Sequence, residues 1–386
     1  DVIPDALRQR FQLPGLHASL QLLHQPPPDV DLEQLAHGLH PATRRLALEE
    51  LLAHQLSLRE VRLRIQADGA PELPSGRSLQ TRFLAQLPFA LTGAQRRVLE
   101  EIALDLARPA PMLRLVQGDV GSGKTVVAAM AALSALAGNC QAAMMAPTEI
   151  LAEQHYRSFK AWFEPLGIEV AWLAGKLKGK ARLDAKAAIA DGRARMVVGT
   201  HALFQDKVVF HKLALVIIDE QHRFGVHQRM ALQSKGLSPH QLVMTATPIP
   251  RTLTMTLYAD MDVSVIDELP KGRQPITTHT AAQPNRPELI ERVSRVLSQG
   301  QQAYWVCTLI EPSDEIDALA AEQAFAMLSQ QLPQFRIALL HGRMKGEDKV
   351  EVMRAFKAGE YQLLVATTVV EVGVDVPNAT HMFIEN

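Results

Sequence analysis

The sequence predicts an α/β protein in which two parallel-sheet lobes follow a helical linker segment. From about residue 86, short apolar runs alternate with stretches of helical character. Such alternation is typical of parallel sheets that helices cover on both faces. Prolines and a glycine interrupt it at residues 269–275, and a second alternating block follows. We therefore expect a helical segment over 1–85, a first lobe over 86–268 and a second lobe over 269–386.

Length and composition indicate a globular protein with more than one domain. The chain has 386 residues and a net charge of −1, so any contact with nucleic acid must come from local basic patches. Its only cysteines, Cys140 and Cys307, form neither a disulfide framework nor a zinc pattern, which fits a reducing cytoplasm. No apolar run is long enough to cross a membrane. Because the first residue is not methionine, we expect the chain to be a piece of a longer protein.

One long helix is predicted over residues 41–66, before a stretch with prolines and a glycine at 70–76. Leucines recur along it at helical spacing, at Leu48, Leu51, Leu52 and Leu56. Its arginines form either a connecting arm near nucleic acid or a solvated helix face, and we favour the solvated face. They are Arg44, Arg45, Arg59, Arg62 and Arg64. A second basic run is interpreted in the same way, as a solvated loop rather than a phosphate track. It comprises Lys176, Lys178, Lys180 and Arg182.

The apolar runs predict the strands of both lobes. In the first lobe they lie at residues 113–116, 142–145, 196–198, 215–218 and 242–244. In the second lobe they lie at 303–307, 336–340, 361–365 and 381–384. Because helical stretches connect most of them, we expect a parallel sheet in each lobe.

The most specific motif follows the first predicted strand. Residues 118–125 read G-D-V-G-S-G-K-T, a pattern in which a glycine-rich backbone wraps a phosphate chain. Lys124 would supply charge for the β- and γ-phosphates, and Thr125 a hydroxyl for Mg²⁺. An alanine-rich helix predicted from Thr125 would place its N-terminus behind the phosphates. The glycines of the loop are Gly118, Gly121 and Gly123. Strand, loop and helix together predict nucleotide binding.

Polar or turn-forming residues follow the other predicted strands of the first lobe as well. The carboxyl ends of parallel strands meet at one edge of an open sheet, and this edge is where such sheets bind ligands. The segments expected along it are 118–125, 146–149, 199–201, 219–222 and 245–248.

Two further features indicate hydrolysis of a nucleotide, and of ATP in particular. Asp219 and Glu220 end a predicted buried strand. One carboxylate there can hold Mg²⁺, directly or through water, and its neighbour can orient and deprotonate the attacking water. Upstream, the amide of Gln95 can pair with a donor and an acceptor on an adenine edge, although such a glutamine is more often a surface residue.

These motifs resemble those of superfamily 2 helicases. The likeness rests on the phosphate loop, on D-E-Q-H at 219–222, on T-A-T at 245–247 and on the second α/β block. More specific motifs, spread over nearly the whole chain, are similar to those of the RecG family of bacterial branch-migrating helicases. They are L-T-G-A-Q at 91–95, A-P-T-E-I-L at 146–151, V-G-T-H-A-L at 198–203, T-A-T-P-I-P-R at 245–251, H-G-R-M at 341–344 and A-T-T-V-V-E-V-G-V-D-V-P at 366–377.

The resemblance implies two RecA-like lobes with ATP in the cleft between them. It implies that Gln95, Gly118, Gly121, Gly123, Lys124 and Thr125 bind ATP, that Thr125 and Asp219 hold Mg²⁺, and that Gly373 and Asp375 face the nucleotide from the second lobe. It makes Lys124, Asp219 and Glu220 the catalytic set, and it makes His222, Thr245 and Thr247 the residues that couple nucleotide state to DNA. The residues that it places on the DNA backbone are Thr148, Thr200, His201, Arg343, Thr367 and Thr368.

The function that the resemblance implies is that of an ATP-dependent DNA helicase and double-stranded DNA translocase. Such an enzyme remodels stalled replication forks and branch-migrates Holliday junctions in recombination and repair. ATP and Mg²⁺ are the expected cofactors and branched DNA the expected partner, for a monomeric cytoplasmic protein without a membrane segment. Two alternatives stay open. One is a translocase like the transcription-repair coupling factor, and the other is a nucleotide-dependent switch without translocation.

Two parts of the family pattern are not found in the sequence. Residues 1–85 hold no strand-rich block like the wedge domain that engages the branch point, and the motif Q-x-x-G-R-x-x-R is missing. The arginines of that motif stabilise the transferring phosphate, and such a finger can contribute about 10³–10⁵ in rate. We therefore expect the chain by itself to bind ATP but to hydrolyse it weakly.

Overall fold

The structure, a computed structural model, describes residues 3–67, 69–175, 177, 179–204, 208–219, 238–247, 261–268, 276–280, 286–307, 314–367 and 376–385. Its N-terminal segment is helical, as predicted. The helices are α1 (Asp5–Arg10), α2 (Leu16–His24), α3 (Leu32–Ala36), α4 (Pro41–Ala67) and α5 (Arg77–Leu84). Within the ranges above, no helix combines the length and the apolar composition that crossing a membrane requires.

The long helix α4 confirms the predicted helix, but its faces differ from the expected ones. Leu51 and Leu56 are 53% and 58% exposed, so the leucines do not form one buried stripe. The solvated-face interpretation is wrong for two arginines. Arg45 is buried and donates to Glu49 at 2.5 Å, and Arg62 pairs with Asp262 of the first lobe at 2.7 Å. Long arginine side chains can bury their stems while their guanidinium groups reach carboxylates. The exposed ones are Arg44, Arg59 and Arg64.

The first lobe is built on a seven-stranded sheet in which all neighbouring strands run parallel. Its strands are β1 (Leu113–Gly118), β2 (Gln141–Met145), β3 (Glu169–Leu173), β4 (Ala194–Gly199), β5 (Leu213–Asp219), β6 (His240–Thr245) and β7 (Asp262–Ile266). Its helices are α6 (Gly93–Leu106), α7 (Lys124–Ala137), α8 (Glu149–Phe163) and α9 (Gly179–Ala190), with short 3₁₀ turns at Glu164–Leu166 and His201–Phe204.

The strand order is β3-β4-β2-β5-β6-β1-β7, and the five strands that the sequence predicted occupy the five central positions. The carboxyl ends of β4, β2, β5, β6 and β1 therefore lie side by side along one edge. The predicted alignment of the polar segments is confirmed for the residues that the structure describes. The two strands that the sequence missed, β3 and β7, are the two edges of the sheet.

The core of the first lobe extends into the segment that the sequence assigned to the linker. α7 lies almost wholly inside, because its alanines allow close packing against the sheet. Leu73 and Phe83, both before residue 86, belong to this core, and Phe83 contacts the aromatic rings of Trp162 and Phe163 edge-on. Burying aromatic side chains stabilises a core strongly. The segment from about residue 70 is therefore part of the first lobe's fold.

A buried histidine attaches this same segment to the sheet. His240 Nδ1 accepts from the backbone N–H of Met112 at 3.0 Å, so its Nε2 carries the hydrogen that is donated to the carbonyl of Pro71 at 2.8 Å. Burial lowers the pKa of His240, since a charged imidazole would lose its hydration there. His240 therefore serves the fold in its neutral form.

A buried ion network joins α6, β1 and β7. The guanidinium of Arg114 on β1 binds Asp105 at 2.7 Å and Glu101 at 3.1 Å, both on α6. It also donates to the hydroxyl of Ser264 on β7 at 2.7 Å. Arg114 and Asp105 are about one-tenth exposed, so each charge depends on the other for compensation.

The second lobe is a four-stranded parallel sheet with the order β11-β8-β10-β9. Its strands are β8 (Gln302–Cys307), β9 (Ile337–Leu340), β10 (Leu363–Ala366) and β11 (Ala379–Glu385), and its helices are α10 (Arg286–Ser298), α11 (Asp314–Gln331) and α12 (Gly346–Lys357). All four strand predictions are confirmed. The predicted linker at 269–275 lies outside the described residues. Cys140 and Cys307 are both free and buried.

Candidate functional site

The predicted phosphate loop connects β1 to α7 at the carboxyl edge of the first sheet. Gly121 and Gly123 have φ angles of +77° and +87°, which glycine adopts without the steric cost that a Cβ imposes. Lys124 begins α7, and its Nζ donates to the carbonyl oxygens of Gly118 at 2.6 Å and Asp119 at 3.0 Å. The ammonium group thus lies over the loop, where it would meet the phosphates of a nucleotide.

The N-terminus of α7 faces the same loop. Thr125 is the second residue of this helix and is half-buried. Ser122 is fully buried, and its hydroxyl has no hydrogen-bond partner among the described residues. Helix N–H groups, hydroxyls and a lysine are the chemistry that anionic phosphate requires. The loop therefore fits a nucleotide phosphate chain, with Thr125 as the hydroxyl that would reach Mg²⁺. These roles stay predictions.

In this structure, the side-chain amide of Gln95 forms hydrogen bonds within the protein. It is buried, its Oε1 accepts from the N–H of Thr92 at 2.9 Å, and Thr92 caps α6 in return. Its Nε2 donates to the carbonyl of Ser122 in the phosphate loop at 2.8 Å. A Cβ on Gly123 would overlap this Nε2. Gln95 thus ties the start of α6 to the phosphate loop, while its predicted contact with adenine stays untested.

The end of β7 holds the start of α6 from the other side. Glu268 accepts from the N–H of Ala94 at 3.1 Å, and Arg97 binds Asp267 at 2.7 Å and the carbonyl of Val265 at 3.0 Å. The hydrogen bond from Arg97 lowers the pKa of Asp267. Sequence reasoning missed this contact, although polar residues follow β7 as they follow the central strands.

Asp219 ends β5 at the same edge, and its carboxylate lies against a histidine. Nε2 of His155 on α8 is 2.7 Å from Oδ2 of Asp219, and both side chains are nearly buried. β6 separates β5 from β1, so the ends of these strands lie two strand spacings apart, about 10 Å. Such a span suits Mg²⁺, which one or two carboxylates and the substrate phosphates commonly hold together. The predicted partners Glu220 and His222 lie outside the described residues.

In the described part of the chain, no cluster of three or more histidine, cysteine, aspartate or glutamate side chains could hold a metal ion by itself. Asp219 and Thr125 remain the residues that fit Mg²⁺ together with phosphate oxygens.

The T-A-T segment after β6 contacts the residue that precedes the phosphate loop. Thr245 Oγ1 accepts from the N–H of Thr247 at 3.1 Å, which folds the segment into a tight turn. Gln117, the residue before Gly118, donates from Nε2 to the carbonyl of Thr247 at 3.2 Å. Neither role in coupling is tested, but the contact gives the two segments a direct connection that sequence reasoning missed.

The residues predicted to touch nucleic acid in the first lobe lie after β2 and β4, which are neighbours. Thr148 caps α8, and its hydroxyl accepts from Leu151 N–H at 3.4 Å. Thr200 is buried, whereas His201 is exposed at the start of a 3₁₀ turn. The backbone N–H of Ala146 donates to the carbonyl of Gly199 at 3.0 Å, which joins the two loops.

The basic run near α9 is only partly described. Arg182 donates to the carbonyl oxygens of Ala174 and Leu177 at 3.1 and 3.4 Å, so it holds the preceding loop, and Lys180 is exposed. Lys176 and Lys178 lie outside the described residues.

In the second lobe, His341 and Thr367 lie together where β9 and β10 end. The N–H of Thr367 donates to the carbonyl of Leu340 at 3.2 Å. Thr367 Oγ1 and His341 Nδ1 are buried without hydrogen-bond partners among the described residues. Arg343 follows on the exposed turn. The predicted residues Thr368, Gly373 and Asp375 lie outside the described residues.

Comparison with known proteins identifies helicase domains in both lobes. Residues 92–256 match the DEAD/DEAH box helicase family, and residues 288–386 match the helicase conserved C-terminal domain. The chain is 58% identical over 391 residues to the ATP-dependent DNA helicase RecG of Escherichia coli strain K12, covering 100% of this chain and 56% of that protein. It is 46% identical over 387 residues to RecG of Bacillus subtilis strain 168, with the same coverage of 100% and 56%.

Solved structures agree with this similarity. A structure of RecG bound to a three-way DNA junction matches with a TM-score of 0.82 and 38% identity, covering 99% of this chain and 49% of that chain. The helicase MrfA bound to DNA matches with a TM-score of 0.58, 17% identity and coverage of 83% of this chain and 52% of that chain, a likeness of fold alone. The chain spans about half the length of the RecG proteins that it matches. Both lobes thus match helicase domains, and the similarity to RecG helicases extends over all of this chain.

Proposed function

We propose that the chain is the motor part of an ATP-dependent DNA helicase, a double-stranded DNA translocase that acts on branched DNA such as replication forks and Holliday junctions. One observation carries the proposal. The phosphate loop, Asp219, Thr245 and the loops after β2 and β4 end five adjacent strands at one sheet edge. A nucleotide and a nucleic-acid backbone can therefore contact neighbouring loops of one rigid sheet.

At the nucleotide, each described residue has a definite task. The loop backbone binds the phosphates, and Lys124 exchanges its two carbonyl partners for phosphate oxygens. Asp219 and Thr125 would hold Mg²⁺, which would neutralise charge on the phosphates. Glu220 orients and deprotonates the attacking water, as its position beside Asp219 in the sequence suggests. Gln95 reads adenine once it leaves its contact with Ser122.

At the nucleic acid, hydroxyls and cations bind the backbone rather than base edges. Thr148, Thr200 and His201 serve this role in the first lobe, and Arg343 and Thr367 serve it in the second. Thr368 completes the set, while Gly373 and Asp375 face the nucleotide and His222, Thr245 and Thr247 transmit its state. ATP draws the lobes together and hydrolysis releases them, so each cycle moves the protein along the duplex.

The test measures nucleotide affinity and ATP hydrolysis by this chain without DNA, with linear duplex and with a model fork. The chain by itself should hydrolyse ATP weakly, and we expect a fork to raise this weak rate most and Lys124→Ala to abolish it. Lys357→Ala removes an exposed lysine of the second lobe and controls for the loss of charge. Normal hydrolysis by Lys124→Ala would refute the proposal. Equal stimulation by plain duplex would favour a translocase like the transcription-repair coupling factor. A nucleotide affinity that is the same without DNA, with duplex and with a fork would favour a switch without translocation.

The proposal extends to the cellular location and the oligomeric state of the protein. We place it in the cytoplasm, as a monomer on branched DNA, because two buried free thiols suit a reducing compartment. A mass measurement of the chain on a forked DNA tests the monomer: a complex of one chain per fork is expected, and two chains per fork would contradict it.

A further inference from the structure

A buried histidine outside every predicted motif binds the aspartate of the candidate metal site. Nε2 of His155 lies 2.7 Å from Oδ2 of Asp219, and the side chains are 8% and 12% exposed. An ionised carboxylate can only accept hydrogen bonds, so the imidazole Nε2 carries the hydrogen and donates it. In the part of the chain that the structure describes, His155 is the one side chain that bonds Asp219.

The histidine is held by a packed helix rather than by a loop. Leu151, Ala152, His155 and Phe159 form the buried face of α8. This helix packs on β3 and β4 of the first sheet. Both partners of the bond therefore belong to rigid elements, since Asp219 is the last residue of β5. An interaction between two fixed elements can hold a carboxylate in one orientation, as metal sites require.

We infer that His155 is a positioning residue for the Mg²⁺–nucleotide complex, through its bond to Asp219. The inference rests on the proposed function, because it assumes that Asp219 binds the metal. With Oδ2 bonded to the imidazole, Oδ1 is the oxygen that would bind Mg²⁺ or one of its waters. Without the bond, the aspartate side chain rotates among several rotamers and must be reordered each time the metal binds. His155 itself touches neither nucleotide nor metal.

The imidazole could instead serve only to pack α8 against the sheet, and three substitutions separate these roles. His155→Ala removes the donor. His155→Gln keeps an N–H close to the position of Nε2, whereas His155→Asn is one methylene too short to reach it. A packing role predicts that all three variants behave alike. A positioning role predicts that glutamine rescues and asparagine does not. His54→Ala, at an exposed histidine of α4, is the matched control.

The measurement is the affinity of the ADP-bound chain for Mn²⁺. Binding is monitored through the paramagnetic resonance signal of free Mn²⁺. Partners that orient a metal ligand typically contribute 10- to 100-fold in metal affinity. We expect His155→Ala and His155→Asn to weaken Mn²⁺ binding by about that factor, and His155→Gln to stay near wild type. ADP affinity in the presence of a chelator, and the melting temperature, are measured on the same samples. They should change little in His155→Gln.

The outcomes separate the inference from the proposed function. A wild-type chain that binds no Mn²⁺ with ADP would overturn the proposed function and the inference with it. A wild-type chain that binds Mn²⁺, with all three variants equal to it or tighter, would overturn the inference alone. Equal weakening in all three, with lowered melting temperatures, would assign His155 to packing and would also overturn it.

Discussion

Replacing Gly123 by alanine perturbs the phosphate loop in a way whose size follows from the structure. Gly123 has a φ of +87°, and a Cβ built on it would overlap Nε2 of Gln95. The left-handed backbone costs an alanine about 1–2 kcal/mol. The overlap adds a second cost, because Gln95 must leave its bonds to Ser122 and Thr92.

The second cost can be worked from those two bonds. Each joins buried or half-buried groups at 2.8 and 2.9 Å. Because Thr92 is only half-buried, we take the lower part of the range for an unsatisfied group, about 1–2 kcal/mol for each bond, so displacing Gln95 should cost about 2–4 kcal/mol. Gly123→Ala should then lower the free energy of unfolding by about 3–6 kcal/mol in total. Gln95→Ala should lose about 2–4 kcal/mol by itself.

The decisive comparison is the double variant, because both substitutions break the same bonds. Once Gln95→Ala has removed the amide, Gly123→Ala should add only its backbone strain of about 1–2 kcal/mol. The two losses should therefore fall short of additivity by about 2–4 kcal/mol. Gly167→Ala is the matched control. Gly167 also lies in the first lobe with a positive φ, of +77°, but a Cβ there meets nothing within 4 Å.

The assay is the melting temperature of the first lobe within the whole chain. For a unit of this size, 1 kcal/mol shifts the melting temperature by about 2–4 °C. Gly167→Ala should shift it by the strain alone and should add to Gln95→Ala without interaction. Equal shifts for Gly123→Ala and Gly167→Ala, or simple additivity of Gly123→Ala with Gln95→Ala, would refute the reasoning.

Three further predictions concern contacts that sequence motifs do not contain. Arg114→Ala should lower the free energy of unfolding by about 3–5 kcal/mol in thermal melts, because Asp105 stays buried without its buried partner. Arg108→Ala, which removes an exposed partner of the same carboxylate, should cost less than about 1 kcal/mol; equal losses would contradict this. Burial lowers the pKa of His240, so the unfolded chain binds its proton first as the pH falls. Stability should drop below about pH 6.5 by at most about 1.4 kcal/mol per pH unit, and melts of His240→Gln should lack that part of the drop. Gln117→Ala should lower the ratio of DNA-stimulated to basal ATP hydrolysis by about 2- to 30-fold, as a coupling of 0.5–2 kcal/mol implies; an unchanged ratio would exclude a role in coupling.

The fold was predictable from the sequence where strands are buried on both faces. β1, β2, β4, β5 and β6 lie inside the sheet and read as mainly apolar runs, so the apolar-run criterion found all five. The edge strands β3 and β7 escaped it. β7 alternates exposed and buried side chains, and β3 begins with the exposed Glu169. An edge strand has a sheet neighbour on one side only, and its partial exposure weakens the apolar pattern.

The candidate site was predictable only in part, for a related reason. Motifs predicted the loops that the strands present, because each motif is local in sequence. The contacts that hold these loops join residues far apart in the chain. His155 and Asp219 are 64 positions apart, and Glu268 and Ala94 are 174 apart. No local spacing signals such pairs, since only the order of strands in the sheet brings them together.

Gln95 illustrates how far a motif alone can specify a role. The sequence offers its amide as a reader of adenine, and the structure uses the same amide to join the cap of α6 to the phosphate loop. The side chain of Gln95 is buried where it bonds to Ser122 and Thr92, so it must leave these partners to reach an adenine edge. If Gln95 does read adenine, nucleotide binding must release the carbonyl of Ser122. That release loosens the loop at Gly123 at the moment when phosphate arrives to hold it. The new phosphate contacts would then offset the cost of breaking the bond between Gln95 and Ser122. The loop would exchange one defined partner, the amide of Gln95, for another, the phosphate.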